Sequence, residues 1–421
     1  MLTRRFLGLS VAATAGLAAM PTPAQETLTA EERFRVEGRY LPQYLELMGK
    51  AAVGDESALA LLPQFAAFLG DERTAIGSQE RERPLDLTLP DLADAESRDA
   101  LDVIVEAATD RQIVILNEAH NISGHRGFAA RVMRALRPLG FDTLAAETFN
   151  PRTPAFRSGV WAYREGAPFR QALGYYTADP VFAEMVREAA SLGYGFADYE
   201  QRDDQSAPAD ASGEERVVAR ETAQAANLIE NVLKSRPDAR LFILCGYNHV
   251  LEAEGWGGLW FAGRLKAATG IDPLTIDQSG NWPGTRPETD SPQVAAVLRR
   301  FAPTAPIVVW RNGTIFANSI YDGKTDLSVF HPRLPRVAGR PGWLAADPVR
   351  RPVEVATPPF DGPTLLQALH IDEGPGIPAD HLLLEPGQER ATLMLRPGRY
   401  FVRLETTRGI EPAFGSLTVR A

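Results

Sequence analysis

The chain has 421 residues, 44% of them hydrophobic, which is enough apolar material for a large core or two domains and too much for a mostly disordered chain. Its formal charge of -10 is spread along the sequence with no Lys/Arg cluster beyond the extreme N-terminus, which argues against a nucleic-acid partner. The single cysteine, Cys245, excludes an intramolecular disulfide, and its place in the apolar run LFILC reads as a small buried hydrophobe.

Residues 1–24 have a short basic start, an apolar stretch rich in small residues and then Pro-punctuated small residues, the pattern of an export signal. Arg4 and Arg5, followed by FLG, resemble the bacterial twin-arginine consensus. Thr22 and Ala24 fit a small-x-small cleavage site, so a mature chain starting near Gln25 is expected in the periplasm or outside the cell. No later stretch reaches the roughly 18 to 20 apolar residues of a membrane span, and no integral span is expected in the mature chain.

Residues 28–70 read as a helical lead-in, with Phe34, Leu41, Leu45, Leu59, Leu62 and Phe65 among polar positions. The segment LADAESRDALDVIVEAATD reads as an amphipathic helix that feeds the β-branched run RQIVIL. Helix and strand then alternate: GHRGFAARVMRALRPLG with FDTLAAE, DPVFAEMVREAASLG with YGFAD, SGEERVVARETAQAANLIENVLKSR with ARLFILCG, and GLWFAGRLKAATG with IDPLTID. Gly140, Gly193 and Gly270 are placed to end helices in left-handed geometry, and Asp179 and Ser212 to cap helix starts. Strands too apolar to be one-sided, linked by helices, predict an α/β fold: a mainly parallel sheet with helices on both faces. After about residue 300 the chain turns to Pro/Gly punctuation and short alternating stretches. Residues 25–345 are therefore expected to form the α/β domain with its helical N-terminal segment, and residues 350–421 a small antiparallel β appendage.

In a parallel α/β sheet the ligand crevice lies beyond the carboxyl ends of the strands. The first expected strand ends on Asn117, Glu118 and His120, the second on Glu147, the third on Asp198 and Glu200, the fourth on Asn248 and His249, and the fifth on Asp277. One acid at a strand end is an ordinary turn former; five such ends, two with histidines, point to a shared polar site. Imidazoles and carboxylates together either ligate a divalent cation or work as a general acid/base group, and both routes serve hydrolysis. Glu118 and His120 are two apart, so an extended strand end turns them to one side. Arg220 is a candidate for an anionic ligand, and His125, which opens a helix, is either a cap-region residue or a second ligand. Tyr247, with Tyr199, Tyr175 and Tyr176, could supply an aromatic wall or an axial oxygen. His331, His370 and His381 read as structural. The chain lacks a GxSxG elbow, a phosphate-binding GxxxxGK[ST] after a strand and a GxGxxG opening a helix, which disfavours a serine hydrolase, a P-loop enzyme and a Rossmann dehydrogenase.

The segment IVILNEAHNISGHRGFAARVMRALRPLGFDTLAAET, followed by ARETAQAANLIENVL and LFILCGYNHV, resembles the superfamily of erythromycin esterase-like proteins, ChaN-like haem-binding lipoproteins and TIKI/TraB metalloproteases. That superfamily carries a G-E-x-H strand end, a Glu ending the next strand and a G-x-x-H strand end. Gly246, Tyr247, Asn248 and His249 meet the second motif; Glu118 and His120 meet the first, with Asn117 in place of glycine. The resemblance implies a site of Glu118, His120, Glu147 and His249, and so an exported hydrolase acting on a small molecule or peptide. A divalent metal held by His120, His249 and Glu147, or carboxylate/His acid/base chemistry, would drive it. The alternative is a periplasmic protein that binds haem or another small ligand.

Overall fold

A computed structural model describes residues 28–78, 80–84, 88–149, 173–373 and 376–420. The export segment and its cleavage site lie outside the described residues.

The main sheet is built from β1 (Glu96–Asp99), β2 (Ile113–Glu118), β3 (Thr143–Ala146), β4 (Gly195–Ala197) and β5 (Leu241–Gly246), and a small hairpin of β6 (Glu254–Gly255) and β7 (Gly258–Leu259) follows. The sheet continues with β8 (Leu274–Asp277), β9 (Ile307–Arg311), β10 (Thr314–Ile315) and β11 (Leu327–Phe330). Their spatial order is β1-β9-β11-β8-β2-β5-β3-β4, with β10 paired to β9. From β11 to β4 neighbouring strands run parallel, and β1, β9 and β10 close the other edge in antiparallel fashion.

Side-chain alternation along these strands feeds two cores. Val114, Leu116, Leu144, Phe242 and Leu244 pack against helices α3 (Ala100–Ala108), α4 (Ser123–Leu136) and α5 (Pro180–Ser191), and against the lead-in helices α1 (Tyr40–Ala52) and α2 (Glu56–Phe68). Ile113, Ile115, Leu241, Ile243 and Cys245 face α6 (Gly213–Leu228) and α7 (Phe261–Thr269) on the other side. The expected caps are present: Asp179 accepts from Val181 N–H, Ser212 forms a capping box with Glu215, and Gly140, Gly193 and Gly270 have φ of 91°, 76° and 71°.

Some expectations need correction. The segment at 92–110 is not one helix: Glu96–Asp99 is a polar edge strand paired to β9, and Asp99 then caps α3. The helix expected from Gly258 starts at Phe261, because Gly258 and Leu259 belong to the hairpin. Leu59 points outward. The C-terminal region holds two antiparallel sheets. One pairs β12 (Arg351–Ala356) with β15 (Arg390–Leu395); the other has the order β14-β13-β16-β17, from Thr364–His370 (β13), Asp380–Leu384 (β14), Gly398–Thr406 (β16) and Gly415–Val419 (β17). These sheets are tied into the α/β body. Leu365 and Ile377 join its core, Glu405 accepts the Leu41 N–H at 2.9 Å, and Arg187 on α5 pairs with Glu373 at 2.8 Å.

Candidate functional site

Parallel pairing sets Glu118 opposite Gly246, so the ends of β2 and β5 lie side by side and β3 delivers Glu147 on the far side of β5. Gly246 gives these groups their closeness. A Cβ there would lie 2.5 Å from His120 Cε1, 2.7 Å from His120 Nε2 and 3.0 Å from Glu147 Oε2, so the His120 ring and the Glu147 carboxylate converge on bare backbone.

The first half of the site is anchored on a buried cluster of ion pairs. His120 Nδ1 lies 3.1 Å from Glu118 Oε1, and Arg126 on α4 clamps Glu118 with two bonds of 2.9 Å. Arg126 also donates to Asp179 Oδ2 at 2.7 Å and to the His120 carbonyl at 3.1 Å. Burial alone would raise the Glu118 pKa, but Arg126 and His120 outweigh it and hold the carboxyl below its usual range. The His120 ring stacks on Tyr176 at 4.1 Å and meets Tyr247 edge-on at 4.9 Å. Tyr247 sits at φ 41°, a left-handed conformation that costs a tyrosine about 1–3 kcal/mol and is found at functional turns.

The second half has the same parts. His249 Nδ1 lies 2.8 Å from Glu221 Oε1, and Arg220 bridges Glu147 Oε1 at 2.6 Å and Glu200 Oε2 at 2.5 Å, with Nη1 3.3 Å from His249 Nε2. Glu147 Oε2 accepts the Gly246 N–H at 2.6 Å. Against the effect of burial, His249, Arg220, His120 and that N–H bring Glu147 down to about 2. His249 moves the other way: burial would lower its pKa, yet Glu147 and Glu221 raise it above the ordinary value, favouring the imidazolium.

The structure thus gathers Glu118, His120, Glu147, His249, Arg220 and Tyr247. It leaves three candidates outside. His125 is buried with Nδ1 accepting the Ala119 N–H at 3.0 Å and its edge on Trp282; burial lowers its pKa to about 3, so the ring is neutral and structural. At the end of β4 it is Glu200, not Asp198, that reaches Arg220. Asp198 offers its carbonyl to Asn231, and burial raises its carboxyl pKa. Asp277 accepts from Asn117 and from the Ser279 N–H, and supports the site from behind. His331, His370 and His381 bond to Gln278, Glu184 and the Phe68 carbonyl, as structural residues would.

His120, His249 and Glu147 do not make a metal cage. Among the described residues no group of three or more His, Cys, Asp or Glu side chains is arranged to hold an ion. The reason is visible: a guanidinium lies between Glu147 and His249, and both histidine Nδ1 atoms are already turned to carboxylates. Arg126, Asp179 and Glu221 are site residues that strand-end reading missed. Asp179 carried only a capping signal, and Arg126 and Glu221 lie on helices, where nothing local marks an inward charge.

No family model and no curated protein matches the chain. Partial likenesses exist to solved bacterial toxin and effector structures. The RRSP effector domain of a MARTX toxin from Vibrio vulnificus matches with 13% identity, a TM-score of 0.31 and coverage of 43% of this chain and 36% of that one. The C-terminal region of Pasteurella multocida toxin matches at 12%, 0.32, 57% and 30%, and the type III effector HopBA1 at 14%, 0.31, 48% and 88%. The chain spans about a third of the length of the first toxin structures it matches.

Proposed function

We propose that the chain is an exported hydrolase of the erythromycin esterase/ChaN/TIKI-like type, cleaving an ester or amide bond in a small molecule or peptide by carboxylate/His acid/base chemistry. The observation that carries this reading is the placement of His120: Nδ1 on an ionised buried carboxylate, ring held between aromatics, and Nε2 turned toward the ring of groups around Gly246.

His120 Nε2 takes a proton from water as the water oxygen attacks the carbonyl carbon, and Glu118 holds the Nδ1–H and stabilises the imidazolium that forms. Neither carboxylate suits the role of base: Glu118 is clamped by Arg126, and Glu147 is too weakly basic. Arg220 and the imidazolium of His249 oppose the negative charge that develops on the carbonyl oxygen, and His249 then gives its proton to the leaving oxygen or nitrogen. One histidine thus supplies the base and the other the acid.

The test is the pH dependence of kcat on a panel of neutral esters and short peptides. The rate should fall as pH rises through the raised His249 pKa, because the acid is lost there, and His249→Gln should lower kcat and remove that falling limb. A falling limb unchanged in His249→Gln would refute the assignment, and a panel on which the wild type has no turnover would refute the hydrolase.

A further inference from the structure

Tyr247 touches His120 twice. Its hydroxyl accepts the His120 N–H at 3.2 Å, and its ring lies at 81° to the imidazole. Its own backbone is held from behind: Asn117 Nδ2 donates to the Tyr247 carbonyl at 3.0 Å. Asn117 is buried and fixed on every side, with Nδ2 also 2.8 Å from Asp277 Oδ1 and 3.1 Å from Ser279 Oγ, and Oδ1 accepting the N–H groups of Gln278 and Ser279. Ser279 Oγ in turn donates to Tyr321 Oη at 2.8 Å. A rigid polar post at the strand ends therefore finishes on the carbonyl of a residue that carries a left-handed φ.

We propose that Tyr247 is a positioning residue for His120 and that Asn117 is its anchor. Tyr176 supports the imidazole face, Tyr247 closes its edge and holds its backbone, and the post through Asn117 and Asp277 keeps the strained turn from relaxing. Nδ1 then stays on Glu118 and Nε2 over Gly246. A side chain that is still exposed at 41% thus has a structural task on its inner edge, which explains why a tyrosine is held where glycine would be unstrained. The catalytic meaning of this clamp rests on the hydrolytic reading above; the clamp itself does not.

The test therefore has two readouts. In the full-length protein, carbethoxylation by diethyl pyrocarbonate, followed residue by residue by mass spectrometry, reads how freely the His120 ring is reached. Tyr247→Gly, which relieves the φ and removes the edge, should raise the His120 labelling rate several-fold and leave His370 on the C-terminal sheet unchanged; Asn117→Ala should act in the same direction if it folds. Equal His120 rates in the wild type and Tyr247→Gly overturn the proposal. On any substrate that the wild type hydrolyses, Tyr247→Phe keeps the ring and loses the acceptor, and should lower kcat about tenfold with KM unchanged. A raised KM with kcat intact would make Tyr247 a substrate contact and overturn the positioning role. Absence of wild-type turnover refutes the hydrolase, and the labelling comparison still decides the clamp.

Discussion

The two halves of the site are built from the same parts and differ in access. In each, a histidine rests its Nδ1 on a glutamate and an arginine bridges two carboxylates: Glu118, His120, Arg126 and Asp179 in one, Glu221, His249, Arg220, Glu147 and Glu200 in the other. The Arg126 side chain is 0% exposed and the Arg220 side chain 37%. A guanidinium with no water cannot exchange partners, so the first half fixes geometry. The second half, open on one side, can trade a carboxylate contact for a developing oxyanion.

Removing each arginine tests this contrast most forcefully. Arg126→Met leaves Glu118 and Asp179 buried without their shared guanidinium and should cost about 3–5 kcal/mol in urea denaturation, or prevent folding. Arg220→Met removes a partly solvated partner and should cost about 1 kcal/mol or less, with its main effect on turnover. Equal losses of stability would erase the difference between the halves.

A smaller perturbation acts where the halves meet. Gly246→Ala drives a methyl group into overlap with the His120 ring, 2.5 Å from Cε1, so kcat should fall about a hundredfold and the forced shift of a held ring should cost about 1–3 kcal/mol in thermal unfolding. A further perturbation acts on the acid limb of stability. Glu147 is ionised more readily folded than unfolded, so it contributes stability above the ordinary carboxylate pKa of 4.5, and that contribution is lost as pH falls toward about 2. Denaturation of Glu147→Gln across that window should lack this part of the wild-type slope.

The four residues at the centre were legible because a parallel sheet sends its strand ends to one edge, and Glu118, Glu147 and His249 stand at or just beyond the ends of apolar runs. The helix-borne partners were not legible. Arg126 reads like any arginine on an amphipathic helix, and only the packing of α4 over β2 turns it to Glu118. Arg220 was visible as a candidate, but its neighbour Glu221 was not, since one bridges carboxylates at the site while the other holds His249 from the side and takes the Phe261 N–H. Among the fold elements, Glu96–Asp99 was hidden because ESRD alternates too weakly to separate from the helix it precedes. The strand Thr364–His370 was hidden because its apolar residues fit a helix as well as a buried strand.

The central claim, that a histidine held by a buried carboxylate activates water, is tested most directly by kcat for the wild type and His120→Gln in buffer containing a strong chelator. The account predicts that wild-type turnover survives chelation and that His120→Gln, folded as judged by circular dichroism, loses about 10²- to 10⁴-fold. Turnover abolished by the chelator and restored by a divalent cation, or a His120→Gln variant as active as the wild type, would contradict it.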